Sequence, residues 1–169
     1  TKQGAAAIGF NSDASGQFAL AVGIQATASG VDSTSVGYVS TASGLKSSSF
    51  GFFAKADATE SVAIGSNAVA SLDDAIALGA DSKSSGLASV AIGNNATATN
   101  SFGVALGYNS QSTGIHAVAL GDSSEASNTS ATAVGVASTA SGQYSFAGGA
   151  SSLATGGSSV SLGDTSKAT

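Results

Sequence analysis

The sequence contains no cysteine, proline, methionine or tryptophan, and no arginine. Without cysteine, disulfides and thiolate metal sites are excluded. Five lysines against ten acidic residues leave a net charge of −5. Such a chain cannot line a basic groove that releases phosphate counterions, which excludes nucleic acid as a partner. No apolar run approaches the roughly 20 residues that cross a bilayer, and the opening residues show no signal-peptide pattern. His116 is the only histidine. It has no matched carboxylate or nucleophile, and no phosphate-cradling loop or His/Cys cluster occurs, so catalysis, cofactors and metal ions have no residues to carry them. Charged residues make up only 9% of the chain, yet 42% is hydrophobic. A disordered chain would combine high net charge with little apolar content.

What the sequence has in abundance is glycine, at a fixed interval. Gly9, Gly23, Gly37, Gly51, Gly65, Gly79, Gly93, Gly107, Gly121, Gly135, Gly149 and Gly163 are all fourteen residues apart, with no insertion or deletion. Strict self-similarity of this kind specifies a stacked repeat architecture rather than a globule. Residues 1–169 therefore read as a single domain of twelve coils. Thr1 and Thr169 interrupt the pattern in mid-unit, so the stretch reads as a piece of a longer chain.

We number each unit from its glycine as zero. Position −1 is large and apolar in nearly every unit, as in Ile64, Leu78 and Ile92, and −3 mostly so, as in Val62, Ile76 and Val90. Position −2 is always Ala or Ser, and −4 is Ala, Ser or Gly. Alternation of large and small with period two, rich in β-branched residues, specifies a strand and not a helix. Positions +3 and +5 are Ala or Ser throughout, which specifies a second short strand. Position +2 often holds Asn or Asp (Asn11, Asn67, Asp81, Asn95, Asn109), residues that tolerate left-handed turns. Position +7 is commonly Gly, expected to supply positive φ at the other turn.

Each unit is thus strand, turn, strand, turn, and one lap returns the chain about 4.8 Å along its own axis. The result is a two-sheeted parallel β-solenoid, a rod of about 60 Å. The expected core sets the large −3 and −1 residues against the small +3 and +5 residues, with the −4/−2/0 strip turned toward neighbouring chains. The reverse assignment, with large residues at the subunit interface and small ones inside, is the alternative. Either way a thin roll buries little apolar surface per ordered residue, which points to oligomerisation.

The unit Ser-Val-Ala-Ile-Gly-x-x-Ala-x-Ala, at Ser61–Ala70 and Ser89–Ala98, resembles the head repeats of trimeric autotransporter adhesins of the YadA type. The resemblance covers the whole chain. It implies an all-β, left-handed parallel β-roll of 14-residue coils assembled as a homotrimer. It also implies a bacterial cell-surface location, with the head held by a stalk and a C-terminal outer-membrane barrel that this sequence lacks. The head itself would not be membrane-inserted. The implied function is non-catalytic adhesion to host extracellular matrix, host cells or other bacteria, with matrix proteins, cell-surface receptors or self-association as partners. Family heads that bind collagen carry Asn-Ser-Val-Ala-Ile-Gly-x-x-Ser. This chain has Glu60 or Ala88 at the Asn position and Ala68 or Ala96 at the final Ser. The resemblance therefore implies adhesion as a class rather than collagen in particular.

Departures from the repeat mark candidate sites. Position +1, in a turn, carries Phe10, Ile24, Tyr38, Phe52 and Tyr108, with Phe53 beside Phe52. Tyr38 and Phe52 lie one coil apart and are expected to stack. Tyr38, Phe52, Phe53 and Tyr108 are the candidate ligand-binding residues; the alternative is that they pack against a neighbouring subunit. Asp32, Lys46 and Glu60 form an alternating-charge column at −5 that helps fix register. Asp73 and Asp74 add local repulsion and supply too few oxygens for calcium. His116 is expected to stack on Phe102 in the same column. An ice-binding solenoid is the alternative function, because Thr27/Ser29, Thr41/Ser43, Thr97/Thr99 and Thr139/Ser141 share one strand face. Lys55, Asp57, Val69, Lys83, Glu125 and Leu153 interrupt that ladder. A hexapeptide acyltransferase, built in sixes, does not fit a period of fourteen.

Overall fold

The computed structural model describes residues 2–169; Thr1, the first residue of the expected single domain, lies outside them. Among the described residues there is no helix. Each coil contributes one three-residue strand and one two-residue strand, and these form two twelve-stranded parallel sheets. Register is one coil throughout: Val62 pairs with Ile76, Ala63 with Ala77 and Ile64 with Leu78 in the long-strand sheet. In the short-strand sheet Val69 pairs with Lys83 and Ala70 with Ser84. The chain is therefore the expected parallel solenoid with fourteen residues per lap.

The core is where the expectation fails. Every buried side chain is Ala or Ser: Ala63, Ala77 and Ser35 at −2, Ala75 and Ser33 at −4, Ala68 and Ser40 at +3, Ala70 and Ser84 at +5. The large −3 and −1 residues point outward, Ile64 at 38% and Leu78 at 39% exposed. The strip assigned to neighbouring chains is thus the interior of the roll. The physical reason is the length of the lap. Strands of three and two residues, joined by tight corners, bring Cα atoms of facing strands within 8 Å, closer than the ~10 Å of ordinary packed sheets. A methyl or a hydroxymethyl fills that gap; a branched side chain does not.

Serine substitutes for alanine at −4 and +3 because its hydroxyl finds a carbonyl three residues back, Ser159 excepted, while at −2 and +5 it bonds across the roll, as Ser35 with Ser40 at 2.7 Å and Ser112 to the Ala117 carbonyl at 2.8 Å. Ser82 Oγ donates to the Gly79 carbonyl at 2.8 Å, Ser124 to Gly121 at 2.9 Å and Ser33 to Gly30 at 2.7 Å. A buried hydroxyl so bonded escapes most of its desolvation cost.

The corners also depart from expectation. The +2 residues are left-handed, as read for Asn67 (φ 55) and Asp81 (φ 56), but so are Val39 (φ 52) and Phe53 (φ 55). A second left-handed residue sits at −5, including Lys46, Glu60, Phe102 and His116. Such residues cost roughly 1–2 kcal/mol each outside glycine. The cost is offset because their amides bond the preceding coil: Phe53 N–H to the Tyr38 carbonyl at 2.9 Å, Glu60 N–H to that of Leu45 at 2.8 Å. Glycine at +7 does not supply positive φ. It supplies room, since a Cβ on Gly44 would lie 1.8 Å from the Ala58 carbonyl oxygen. Positive φ falls instead on the register glycines, as at Gly65 (φ 133).

Replacing Ala63 with Leu is therefore expected to destabilise the head by about 1–3 kcal/mol or more, through overpacking. Ala63→Ser, already the choice at Ser35 and Ser49, is expected to cost much less. Thermal unfolding of both variants checks this; equal melting temperatures would contradict an Ala/Ser-limited core.

Candidate binding surface

The rod has no enclosed pocket among the described residues, so any ligand meets an outer surface. Four surfaces are available: the outward faces of the two sheets and the two corners.

The outward face of the long-strand sheet carries the aliphatic columns. Val62, Ile76, Val90, Val104 and Val118 follow one another at −3, and Ile64, Leu78, Ile92, Leu106 and Leu120 at −1. Each side chain shields its neighbours along the column, yet Leu106 and Leu120 remain 41% and 40% exposed. Thr34 and Thr132 interrupt the −3 column, and two further units break the pattern in compensating ways. Ser48 at −3 accompanies Phe50 at −1, and Phe146 at −3 accompanies Gly148 at −1. A Cβ on Gly148 would sit 2.6 Å from Phe146 Cε1 and 2.9 Å from Leu162 Cδ2. The Phe146 ring thus fills the place that Gly148 leaves empty, and the face stays level.

The outward face of the short-strand sheet is polar and mixed. Thr27 pairs with Thr41, but Thr41 is followed by Lys55, Val69 and Lys83. Lys55 Nζ lies 2.9 Å from Asp57 Oδ2, and Ser43 Oγ donates to Asp57 Oδ1 at 3.2 Å. A continuous Thr/Ser array for ordering water is absent from this face, and no observation favours the ice-binding alternative.

Of the charge column expected at −5, one pair forms, and Asp32 makes no ion pair with Lys46. Lys46 Nζ meets Glu60 Oε1 at 3.2 Å, with both side chains more than half exposed. Asp73 accepts the Thr59 amide at 3.0 Å, which gives one carboxylate of the acidic pair a structural role. No cluster of three or more His, Cys, Asp or Glu suited to a metal ion occurs among the described residues. Phe102 and His116 stack with ring centroids 4.8 Å apart and planes 5° from parallel.

The corner at +1 and +2 brings together three of the four candidate residues. Tyr38 and Phe52 stack at 5.2 Å between centroids. Phe53 stands perpendicular beside them, 5.7 Å from Tyr38 and 4.4 Å from Phe52. All three are 43–50% exposed. Tyr108 is not part of this group: it occupies the same column four coils on, roughly 19 Å away at the strand spacing, and is 60% exposed. The register glycines lie along the same edge, where each carbonyl crowds the preceding coil's glycine. Two polar pairs continue the +2 column. Asn67 Nδ2 donates to Asp81 Oδ1 at 3.0 Å, and Asn95 Nδ2 to Asn109 Oδ1 at 2.7 Å. The sequence reading treated these only as turn formers. Their spacing of fourteen from Phe53 and from each other was the signal that they form a hydrogen-bonding edge continuous with the rings.

The chain matches the model of the YadA head domain repeat in nine overlapping windows that span residues 1–82 and 84–152. Among solved structures it is similar to the collagen-binding domain of the Yersinia adhesin YadA. Sequence identity there is 25%, the TM-score is 0.54, and the alignment covers all of this chain and 78% of that one. A comparison with curated protein sequences returns no match.

The Lys46–Glu60 pair should contribute little. A double-mutant cycle with Lys46→Ala and Glu60→Ala is expected to give a coupling below about 1 kcal/mol, smaller still in high salt. A coupling above about 2 kcal/mol would mean that the charge column, and not the backbone ladder, sets register.

Proposed function

The chain belongs to the YadA head domain repeat family, and on that premise we propose that it is the head of a bacterial surface adhesin that works as a homotrimer. The observation that carries this reading is the long-strand face. Every coil places at least one large apolar side chain on it, from −3 or −1, while the interior is already filled by Ala and Ser. Exposed apolar surface of that extent marks an interaction face. Three copies related by a closed rotation bury it without leaving a free edge. The compensation of Phe50 by Ser48, and of Gly148 by Phe146, supports a solid surface as the occupant, because packing against another protein penalises both bumps and gaps.

With that face inside the trimer, the corners and the polar short-strand face remain for ligands. The function is attachment, to extracellular matrix proteins, to host cell-surface receptors or to the same head on another cell. Tyr38, Phe52, Phe53 and Tyr108 are the contact residues, since exposed aromatic side chains dominate binding energy at protein surfaces. The Yersinia structure is of a domain named for collagen binding; the departures at Glu60, Ala68, Ala88 and Ala96 widen the expected targets to matrix proteins generally. In this reading the head sits outside the outer membrane, held by a stalk and a C-terminal barrel.

Light scattering of the purified head is expected to give three times the chain mass. The single substitution Ile64→Asp, placed on the aliphatic face and away from the core, is expected to shift the protein toward monomer. A binding screen against immobilised matrix proteins and host cells then tests adhesion. A wild-type monomer, or a trimer unaffected by Ile64→Asp and Leu78→Asp together, would refute the interface. A trimer that adheres to no matrix protein, cell or second head would refute the adhesin reading.

A further inference from the structure

The aromatic corner ends abruptly, and the end has a shape. Large side chains fill the +1 column at Ile24, Tyr38 and Phe52, after which the next two coils carry Ser66 and Ala80. Stacking of Tyr38 on Phe52 uses one face of each ring. Phe53 lies to the side of the stack: its centroid is 4.4 Å from Phe52 and 5.7 Å from Tyr38, themselves 5.2 Å apart, so it sits on the Tyr38 side and not over the second face of Phe52. That face looks along the rod over Ser66, one strand spacing of about 4.8 Å away. The Asn67–Asp81 pair runs beside it in the +2 column. The result is an open notch with an aromatic end wall, a floor of small side chains and an amide–carboxylate edge.

We propose that this notch binds a neutral oligosaccharide, with one pyranose ring laid on the uncovered face of Phe52 and its hydroxyls bonded to Asn67 and Asp81. A pyranose is amphipathic in the required way. Its axial C–H groups form an apolar face that suits the negative face of an aromatic ring. Its hydroxyls, both donors and acceptors, match a carboxylate that accepts and an amide that does both. Anionic sugars are disfavoured by Asp81 and by the net charge of −5. A second copy of the chain is a poorer occupant. A seam between parallel rods needs a large apolar side chain in every coil, as the aliphatic face supplies from −3 or −1, whereas the +1 column turns small or polar at Ser66, Ala80 and Asn94. The site is shallow, so each copy binds weakly. Three copies on one head raise the effective affinity through multivalency.

The inference rests on the surface-binding reading above and names its ligand class. Saturation-transfer difference NMR of the folded head, with cellotetraose and with tetra-N-acetylchitotetraose as probes, reads weak contact directly. Transfer to the pyranose ring protons of at least one probe is expected. Phe52→Ala should reduce it at least fivefold. So should Ser66→Leu, which covers the open face of Phe52 and presents no new ring face to the next coil. Asp81→Ala should weaken it, while Tyr144→Ala, on the opposite corner, should not change it. No transfer from the wild-type head to either probe, or undiminished transfer in Phe52→Ala or Ser66→Leu, would overturn the proposal. A head that adheres to matrix proteins yet gives no transfer sinks the saccharide assignment alone. A head that binds saccharide through the notch but adheres to nothing sinks the adhesin reading alone.

Discussion

The gap between the two sheets governs this molecule. A lap of fourteen residues leaves strands of three and two, and the facing backbones come too close for any side chain larger than serine. Hydrophobic burial inside the roll is therefore limited to methyl groups, each contributing little. Cohesion within one chain comes largely from the backbone, whose amides and carbonyls pair from coil to coil in strands and corners alike. Gly65 N–H to the Phe50 carbonyl at 2.8 Å, Asn67 N–H to that of Phe52 at 2.8 Å and Glu60 N–H to that of Leu45 at 2.8 Å are successive examples. Such bonds contribute about 0.5–1.5 kcal/mol each. They hold Val39, Phe53 and other ordinary residues in left-handed turns that they would not choose alone.

The same limit turns the usual relation between core and surface inside out. Side chains with the largest hydrophobic content, such as Ile64, Leu78, Leu106 and Leu120, have no room within and stand on the outside of the long-strand sheet. One alternation sorts the two kinds of side chain: small residues close the roll, and large residues are left on its outer face. The corners are the places where the repeat tolerates variety, because a corner side chain has neighbours above and below and none across from it. Aromatic, charged and amide columns accumulate there over short runs of coils, as with Tyr38 and Phe52, Lys46 and Glu60, and Asn67 and Asp81.

Much of this was legible without coordinates. The glycine register fixed the lap length, the period-two alternation fixed strands, and a shift of fourteen fixed which residues would touch: Tyr38 with Phe52, Phe102 with His116, Lys46 with Glu60. These are local or nearest-coil relations, and a perfect repeat turns them into arithmetic. The family resemblance rests on the same columns. Two positions misled. Glycine at +7 invited a turn explanation, although crowding from the next coil's carbonyl is what favours it. Positive φ at −5 falls on Phe, Lys, Glu and His, which carry no sequence mark of it.

Sequence alone determined the period, the parallel register and the contacts along each column, because those follow from spacing within one chain. Which column faces in was decided only by the tertiary structure. Alternation says that two faces differ; it does not say how far apart the sheets stand, and that distance alone excludes Val, Ile and Leu from the interior. The grouping of Phe52, Ser66, Asn67 and Asp81 into one notch likewise depended on the third dimension, since Phe53 lies to the Tyr38 side of the stack and leaves a ring face open that no residue count could reveal.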